Sequence, residues 1–408
     1  MRVLLATFSY LPNTTGIDRY IRILANGLTS LSHRVDVLAF EPGRHAVALS
    51  GEGLGVDVPR LRRQVRAGVT EFYRRRVPRA EAWVAQREAE HYAFELSLAL
   101  CEPGRYDVLH AQDVVAARAL ARLRRPGQPL VVSVHAYRAG RSRFDKGPPG
   151  RIRKVTRYLE LEEKVGASAP DRVLFPSAWL MTLFTDRYGL APASLRQVPY
   201  GLDLEDFRLG GRPQPPETPM PGGRKVILCP ARLAPEKGQT HLLTALALMS
   251  RHREDFVCWF AGEGPSRFTL ETEARRLRLR DRALFLGSRA DIPALMAFAD
   301  MVVVPSMQDN LPFVVMEAQA AGKAVVASRT GGIPEMVENG RSGLLVSPGD
   351  ARELAAALSL LLNNPELGRT LGRQARSRAV RRWDGSRMVA DILGVYEELM
   401  GGMPLGQV

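Results

Sequence analysis

"RLGGRPQPPETPMPGGRKVILCPAR", residues 208 to 232, contains the point at which this chain stops one pattern and begins it again. Up to Gly223 the crowded prolines and glycines can hold neither a helix nor a strand ladder, because proline has no amide donor and fixes its own φ. From Lys225 an apolar, β-branched run resumes and leads through a loop into a segment of helical period. Both flanks of the break read alike. Upstream the strand candidates are "RVLLATF", "RVDVLAF", "YDVLHA", "LVVSVHA", "DRVLFPS" and "LRQVPYG"; downstream they are "KVILCPAR", "FVCWFAG", "ALFLGS", "MVVVPS", "AVVAS" and "GLLVSP". Strands alternating with helical segments predict an α/β protein with mostly parallel sheets. Residues 208–224 are read as a linker between a first domain, 1–207, and a second, 225–385, with a last amphipathic helix in 386–408.

Two Rossmann-like halves of this kind enclose a cleft, with ligands expected at the carboxyl ends of the strands. A length of 408 residues, 45% of them hydrophobic, suits two domains of roughly 200 residues each. No window approaches the roughly 18 unbroken apolar residues of a membrane span. The start, "MRVLLATFSYLP", lacks the cleavage site of a secretory signal, so a cytoplasmic location is expected. Cys101, Cys229 and Cys258 lie far apart among apolar neighbours and read as buried thiols without disulfide or metal chemistry. The net charge of +14 is carried mainly by arginine and is dense in "PRLRRQVRAGVTEFYRRRVPRAEAW". Such a balance favours anionic partners, while the absence of an aromatic stacking platform argues against nucleic acid.

Several residues carry candidate chemistry. In "CPARLAPEKGQTHLLTAL" a strand turns into a helix with Arg232 and Lys237 on the connecting loop; they are either a diphosphate clamp, one a planar fork and the other a point charge, or two solvated surface charges. In "SYLPNTTGIDRY" Gly16 either lets the backbone approach a phosphate or only serves the turn behind an N-cap at Thr14 or Thr15. The helix that follows has Ile17, Ile21, Leu24, Ala25 and Leu28 on one face, with Arg19, Arg22 and Asn26 off it. His135 closes "LVVSVHA" at the cleft end, as a hydrogen-bond donor or proton carrier, or as a purely structural hydrogen-bonder.

"QDNLPFVVMEAQAAG", residues 308 to 322, predicts a helix over about 312–321, with Pro312 in its first turn and Gly322 at its end. Asp309 precedes the N-terminus, as a cap or a ligand contact. Glu317 lies a turn and a half inside, in an apolar stretch where a lone carboxylate is costly, so it needs a partner; a ligand hydroxyl would serve. Cations for phosphates flanked by carboxylates for hydroxyls describe a nucleotide-sugar site.

At these residues the chain resembles the family-four retaining glycosyltransferases of GT-B fold, over almost its whole length. The resemblance is carried by the Gly16 loop, "SVHAYR", "VPYGLDLEDF", "PARLAPEKG", "FAGEGP", "FLGSRADIPALMAFADMVVVPS", "DNLPFVVME" and "GGIPEMVENGRSGLLVSPGD", in that order. It implies that Arg232 and Lys237 neutralise the donor diphosphate, that Asp309 contacts donor sugar hydroxyls and that Glu317 holds the ribose. His135 would lie near the transferred sugar. Gly16, Asn310, Leu311, Phe313 and Val314 would line the donor site, with the amides of Phe313 and Val314 reaching the distal phosphate. It further implies front-face transfer with retention, no cofactor and no metal, and a C-terminal helix crossing back to the first domain. In "DLED", 203 to 206, a helix-start acid cluster is expected rather than a metal site.

Three positions depart from the family pattern: Thr15-Gly16 replaces Gly-Gly, Asp309 replaces the first Glu, and Pro312 stands where Gly is common. "EAWVAQREAEHYAFELSLAL" followed by "YDVLHAQDVVAARAL" is similar to enzymes associated with spore coats of endospore formers. The expected partners are a nucleotide sugar, UDP-linked, a glycan or lipid hydroxyl acceptor, and an anionic membrane face touched through Arg60 to Arg79. The alternative of a different class is a GT-B protein that binds membrane or polyanion surfaces with little or no turnover.

Overall fold

A computed structural model describes residues 1–11, 16–40, 46–49, 56–145, 147–204 and 222–401. The expected linker therefore lies outside the described residues except for Gly222–Arg224, as do Thr14, Thr15 and the last two residues of "DLED".

Among the described residues the first half forms an eight-stranded sheet and the second a six-stranded one. In the first sheet β1 (Arg2–Tyr10) and β2 (Arg34–Phe40) pair in parallel, and β5 (Val108–Ala111), β6 (Leu130–Ser133), β7 (Arg172–Phe175) and β8 (Leu195–Gln197) extend the other side. Two short antiparallel strands, β3 (Ala46–Leu49) and β4 (Val56–Asp57), finish the far edge. These two were not anticipated, since runs so short carry almost no period. The second sheet has the order β11-β10-β9-β12-β13-β14, all parallel: β9 (Lys225–Pro230), β10 (Phe256–Ala261), β11 (Ala283–Gly287), β12 (Met301–Val304), β13 (Ala324–Ser328) and β14 (Leu344–Val346). Strands β10, β12 and β13 are buried along their whole length, which explains their unbroken apolar runs: both faces are covered by helices.

The order of each sheet reverses beside its first strand, between β1 and β5 and between β9 and β12. Loops leaving the carboxyl ends of strands at such a reversal diverge to opposite faces and open a crevice. The loops bearing Gly16, His135, Arg232, Lys237 and Asp309 follow β1, β6, β9 and β12.

The helix Gly385–Gly401 returns to the first domain, where it packs on the helix Gly16–Ser30 and places the Tyr396 hydroxyl 2.6 Å from His110 Nδ1. A bridge between Leu202 and Asp384 marks the crossing. One apolar cluster consequently runs through both halves, from Leu5 and Leu24 to Trp259, Val315 and Tyr396. No helix among the described residues is long and apolar enough to cross a membrane.

Candidate active site

The helix Phe313–Ala320 starts one residue later than the sequence suggests. Pro312 is its N-cap with extended backbone (ψ 124°), not a member of the first turn, and no side chain caps it. Asp309 sits on the turn ahead of this helix. Its Oδ2 accepts from Lys237 Nζ at 2.6 Å and from Ser306 Oγ at 3.0 Å, and its Oδ1 from the Asn310 amide at 3.1 Å. Lys237 reaches it because Gly238 turns the chain at φ +69°; a Cβ there would fall 2.0 Å from the Pro305 carbonyl oxygen, so only glycine lets the β9 loop lie against the β12 loop.

Arg232 does not sit beside Lys237 as a bare pair of cations. Its Nη2 donates to Glu236 Oε1 at 2.6 Å, and the same oxygen accepts from Arg141 of the first domain at 2.6 Å. Burial opposes ionisation of Glu236, but its own amide and the Arg141 and Arg232 guanidiniums outweigh it and hold the carboxyl below its ordinary range. Each cation read from the sequence is thus matched to a carboxylate already in the protein.

Glu317 has a partner of the same kind. Arg19, set aside as lying off the apolar face of its helix, crosses the cleft and donates through Nη1 to Glu317 Oε1. The partner that this carboxylate was expected to need is present in the protein itself, 298 residues away in the first domain.

His135 is half-buried at the cleft. Its Nδ1 lies 2.8 Å from the Tyr200 hydroxyl and its Nε2 3.4 Å from Gln112 Oε1, which fits a neutral ring accepting from the tyrosine and donating through Nε2. Burial pushes its pKa down to about 3, so the imidazole is uncharged at neutral pH. Tyr200 in turn stacks on Phe313, with ring centroids 5.0 Å apart and planes 7° from parallel. Gly16 also lies close to that phenyl: a Cβ on Gly16 would fall 2.9 Å from Phe313 Cδ2. Gly16 thus lies against the phenyl ring, and the residues just before it are outside the described set.

Asn310 joins the domains. Its Nδ2 donates to the His135 carbonyl at 3.1 Å and its Oδ1 accepts from Ser177 Oγ. Gln308 donates to the Tyr137 carbonyl at 3.1 Å, and Glu335 caps the first-domain helix Ala178–Tyr188 by accepting from the Ala178 and Trp179 amides at 3.0 and 2.8 Å. Leu311 is buried in the shared core and Val314 packs at its margin. Among the described residues no group of three or more His, Cys, Asp or Glu is placed to hold a metal ion.

Two domain families divide the chain: residues 14–206 match "Glycosyltransferase Family 4" and 212–378 match "Glycosyl transferases group 1". The D-inositol 3-phosphate glycosyltransferase of Saccharomonospora viridis is 33% identical over 317 residues, covering 73% of this chain and 72% of that protein. The chain belongs to the group 1 glycosyltransferases of GT-B fold. The MMP alpha-(1->4)-mannosyltransferase of Mycolicibacterium hassiacum is 27% identical, over 98% of each chain. The crystal structure of Anabaena HepE in complex with UDP superposes with a TM-score of 0.65 at 20% identity, over 98% of this chain and 100% of that one.

In this glycosyltransferase the second-domain candidates Arg232, Lys237, Asp309, Asn310, Phe313 and Glu317 gather at one switch point, facing Gly16 and His135 from the first domain. The sequence reading missed Arg19, Arg141, Glu236 and Glu335. Only Arg19 carried any signal, as a cation in the first turn of the helix after β1, at the end of the sheet where the crevice opens; nothing in its spacing named Glu317 as its partner.

Proposed function

We propose that the protein is a retaining, metal-independent glycosyltransferase that moves a hexose or hexosamine from a nucleotide sugar, UDP-linked, to a hydroxyl acceptor such as a glycan, a lipid or a cell-surface or spore-coat component. The observation that carries this reading is the contact of Lys237 with Asp309 at the start of an uncapped helix, with Glu317 behind it on the same helix. A nucleoside diphosphate sugar offers each of these groups a further partner. Lys237 and Arg232 take the diphosphate, with the Phe313 and Val314 amides at its distal phosphate; Asp309 is released to the sugar hydroxyls, and Glu317 accepts from the ribose. The neutral His135 lies near the transferred sugar, and its Nε2–H, 3.4 Å from Gln112 Oε1, is the one donor it can turn toward a sugar oxygen. Positioning and compensation of the leaving diphosphate supply the catalysis, and the two cations provide the positive charge that a divalent ion provides elsewhere. UDP is favoured as the nucleotide because the Anabaena neighbour is solved with it.

The test is a panel of UDP-, GDP- and ADP-sugars without acceptor. One member is expected to be hydrolysed slowly to its nucleoside diphosphate, equally well in excess chelator, and Glu317→Ala is expected to stop the hydrolysis. A protein that binds and turns over no member of the panel would be a surface-binding protein and not an enzyme of this class.

The acceptor side of this reading includes an anionic membrane. The helix Val58–Arg76 exposes Arg63, Arg66, Arg74, Arg75 and Arg76, with Phe72 exposed among them, while Val69 packs inward toward the helix Ala82–Leu100. Glu71 pairs with Arg74 and Arg75, so the net charge of the patch is smaller than its arginine count suggests. Neutralising Arg74, Arg75 and Arg76 together is expected to weaken sedimentation with anionic liposomes by about tenfold or more, since each basic residue near such a surface contributes about 1 kcal/mol. Equal sedimentation of the variant would take the membrane out of the proposal.

A further inference from the structure

We propose that Arg19 is a positioning residue for donor selection: this first-domain guanidinium fixes the Glu317 carboxylate so that it accepts from a ribose hydroxyl, and recognition of a ribonucleotide thereby requires contact between the two domains. The inference rests on the reading of Glu317 as a ribose contact and goes beyond it by assigning how that carboxylate is held.

Three contacts join the start of the helix Gly16–Ser30 to the start of the helix Phe313–Ala320. Gly16 lies against the Phe313 ring, the Arg19 guanidinium carbon stands 5.8 Å from the centre of the same ring, and Arg19 Nη1 donates to Glu317 Oε1. Both charged side chains are largely withdrawn from water, Arg19 being 22% and Glu317 11% exposed. A carboxylate so placed in an apolar helix is costly without a cation.

The guanidinium engages Oε1, and a carboxylate has about four lone-pair sites on two oxygens, so Oε2 can take a hydroxyl while the ion pair persists. The pair then has a different status from the contact of Lys237 with Asp309, which a diphosphate displaces. With Arg19 in place the carboxylate is an oriented acceptor, and a ligand that lacks the 2′-hydroxyl leaves it short of a donor; sites built to hydrogen-bond a hydroxyl reject analogues without it. With Arg19 removed, Glu317 is free to rotate toward water through the cleft, and the penalty for a missing hydroxyl falls.

Isothermal calorimetry on the full-length protein tests this with UDP, GDP and ADP, each beside its 2′-deoxy counterpart. The wild type is expected to prefer the ribonucleotide of its own base by about tenfold or more, Arg19→Ala to reduce that preference below about threefold, and Arg19→Lys, which keeps the charge, to recover part of it. A purely structural Arg19 would weaken ribo- and deoxyribonucleotide by the same factor in Arg19→Ala, and that result overturns the inference. A wild type that binds a diphosphate with no preference for ribose overturns it too, while leaving the donor site intact; a wild type that binds none of the six overturns both. Should Arg19→Ala not fold, Arg19→Lys decides by itself, since a preference undiminished from wild type would show that guanidinium geometry does not hold Glu317.

Discussion

Replacing Lys237 by alanine is expected to lower turnover of the sugar nucleotide by about 10²–10³-fold, the usual cost of removing one preorganised charge or donor from a developing oxyanion. In the structure its ammonium lies 2.6 Å from Asp309 Oδ2, in a pair that is 24% and 14% exposed. Such a charge is worth more than a surface one, because little water screens it. The diphosphate gains charge as the glycosidic bond breaks, so the loss should fall on kcat more than on KM. Single-turnover rates measured alongside donor affinity separate these two contributions. A Lys237→Ala enzyme whose kcat stays within threefold of wild type would remove this ammonium from the chemistry and leave it a structural partner of Asp309.

Trp383→Ala is expected to destabilise the protein by about 3–5 kcal/mol from the lost ring alone. The ring is fully buried in the turn between the helices Pro365–Arg382 and Gly385–Gly401, where the chain crosses back to the first domain. Its Nε1 donates to Gln319 Oε1 at 2.7 Å, Gln319 donates onward to the Met336 carbonyl at 2.8 Å, and the Trp383 carbonyl accepts from the Leu202 amide at 2.8 Å. Gln319 lies in the same helix as Glu317, so the tryptophan ties the domain crossing to the candidate site. Trp383→Phe separates the two contributions: it keeps an apolar ring but strands Gln319 Oε1, at about 1–3 kcal/mol. Urea unfolding followed by near-ultraviolet dichroism measures both. Equal stability of Trp383→Phe and wild type would show that the Gln319 hydrogen bond adds nothing beyond packing.

Most of the architecture could be read from the chain. Strands such as Ala324–Ser328 fall where their apolar runs begin and end, because a buried parallel strand needs apolar side chains on both faces and a loop cannot use them. The shortest elements escaped: β4, at Val56–Asp57, has no period to detect, and the helix start at Phe313 moved because Pro312 satisfies a cap as well as a first turn. Of the candidate site, the gathering of Lys237, Asp309 and Glu317 followed from strand-end placement and spacing. Their partners did not.

What the sequence determined by itself was the local order: two runs of strand and helix, a break rich in proline and glycine, and cations and acids at the ends of particular strands. These depend on periods of two and 3.6 residues and on turn chemistry, all contained within short windows. Only the tertiary structure decided which charge meets which. Arg19 finds Glu317 across 298 residues, Arg141 finds Glu236 across 95, and Gly16 lies against Phe313 because the returning helix Gly385–Gly401 packs on the helix that Gly16 begins. Ion pairs carry no periodic signature, and any of the many arginines would have served a given carboxylate as well on paper; the choice is made by where the packed core sets each helix start.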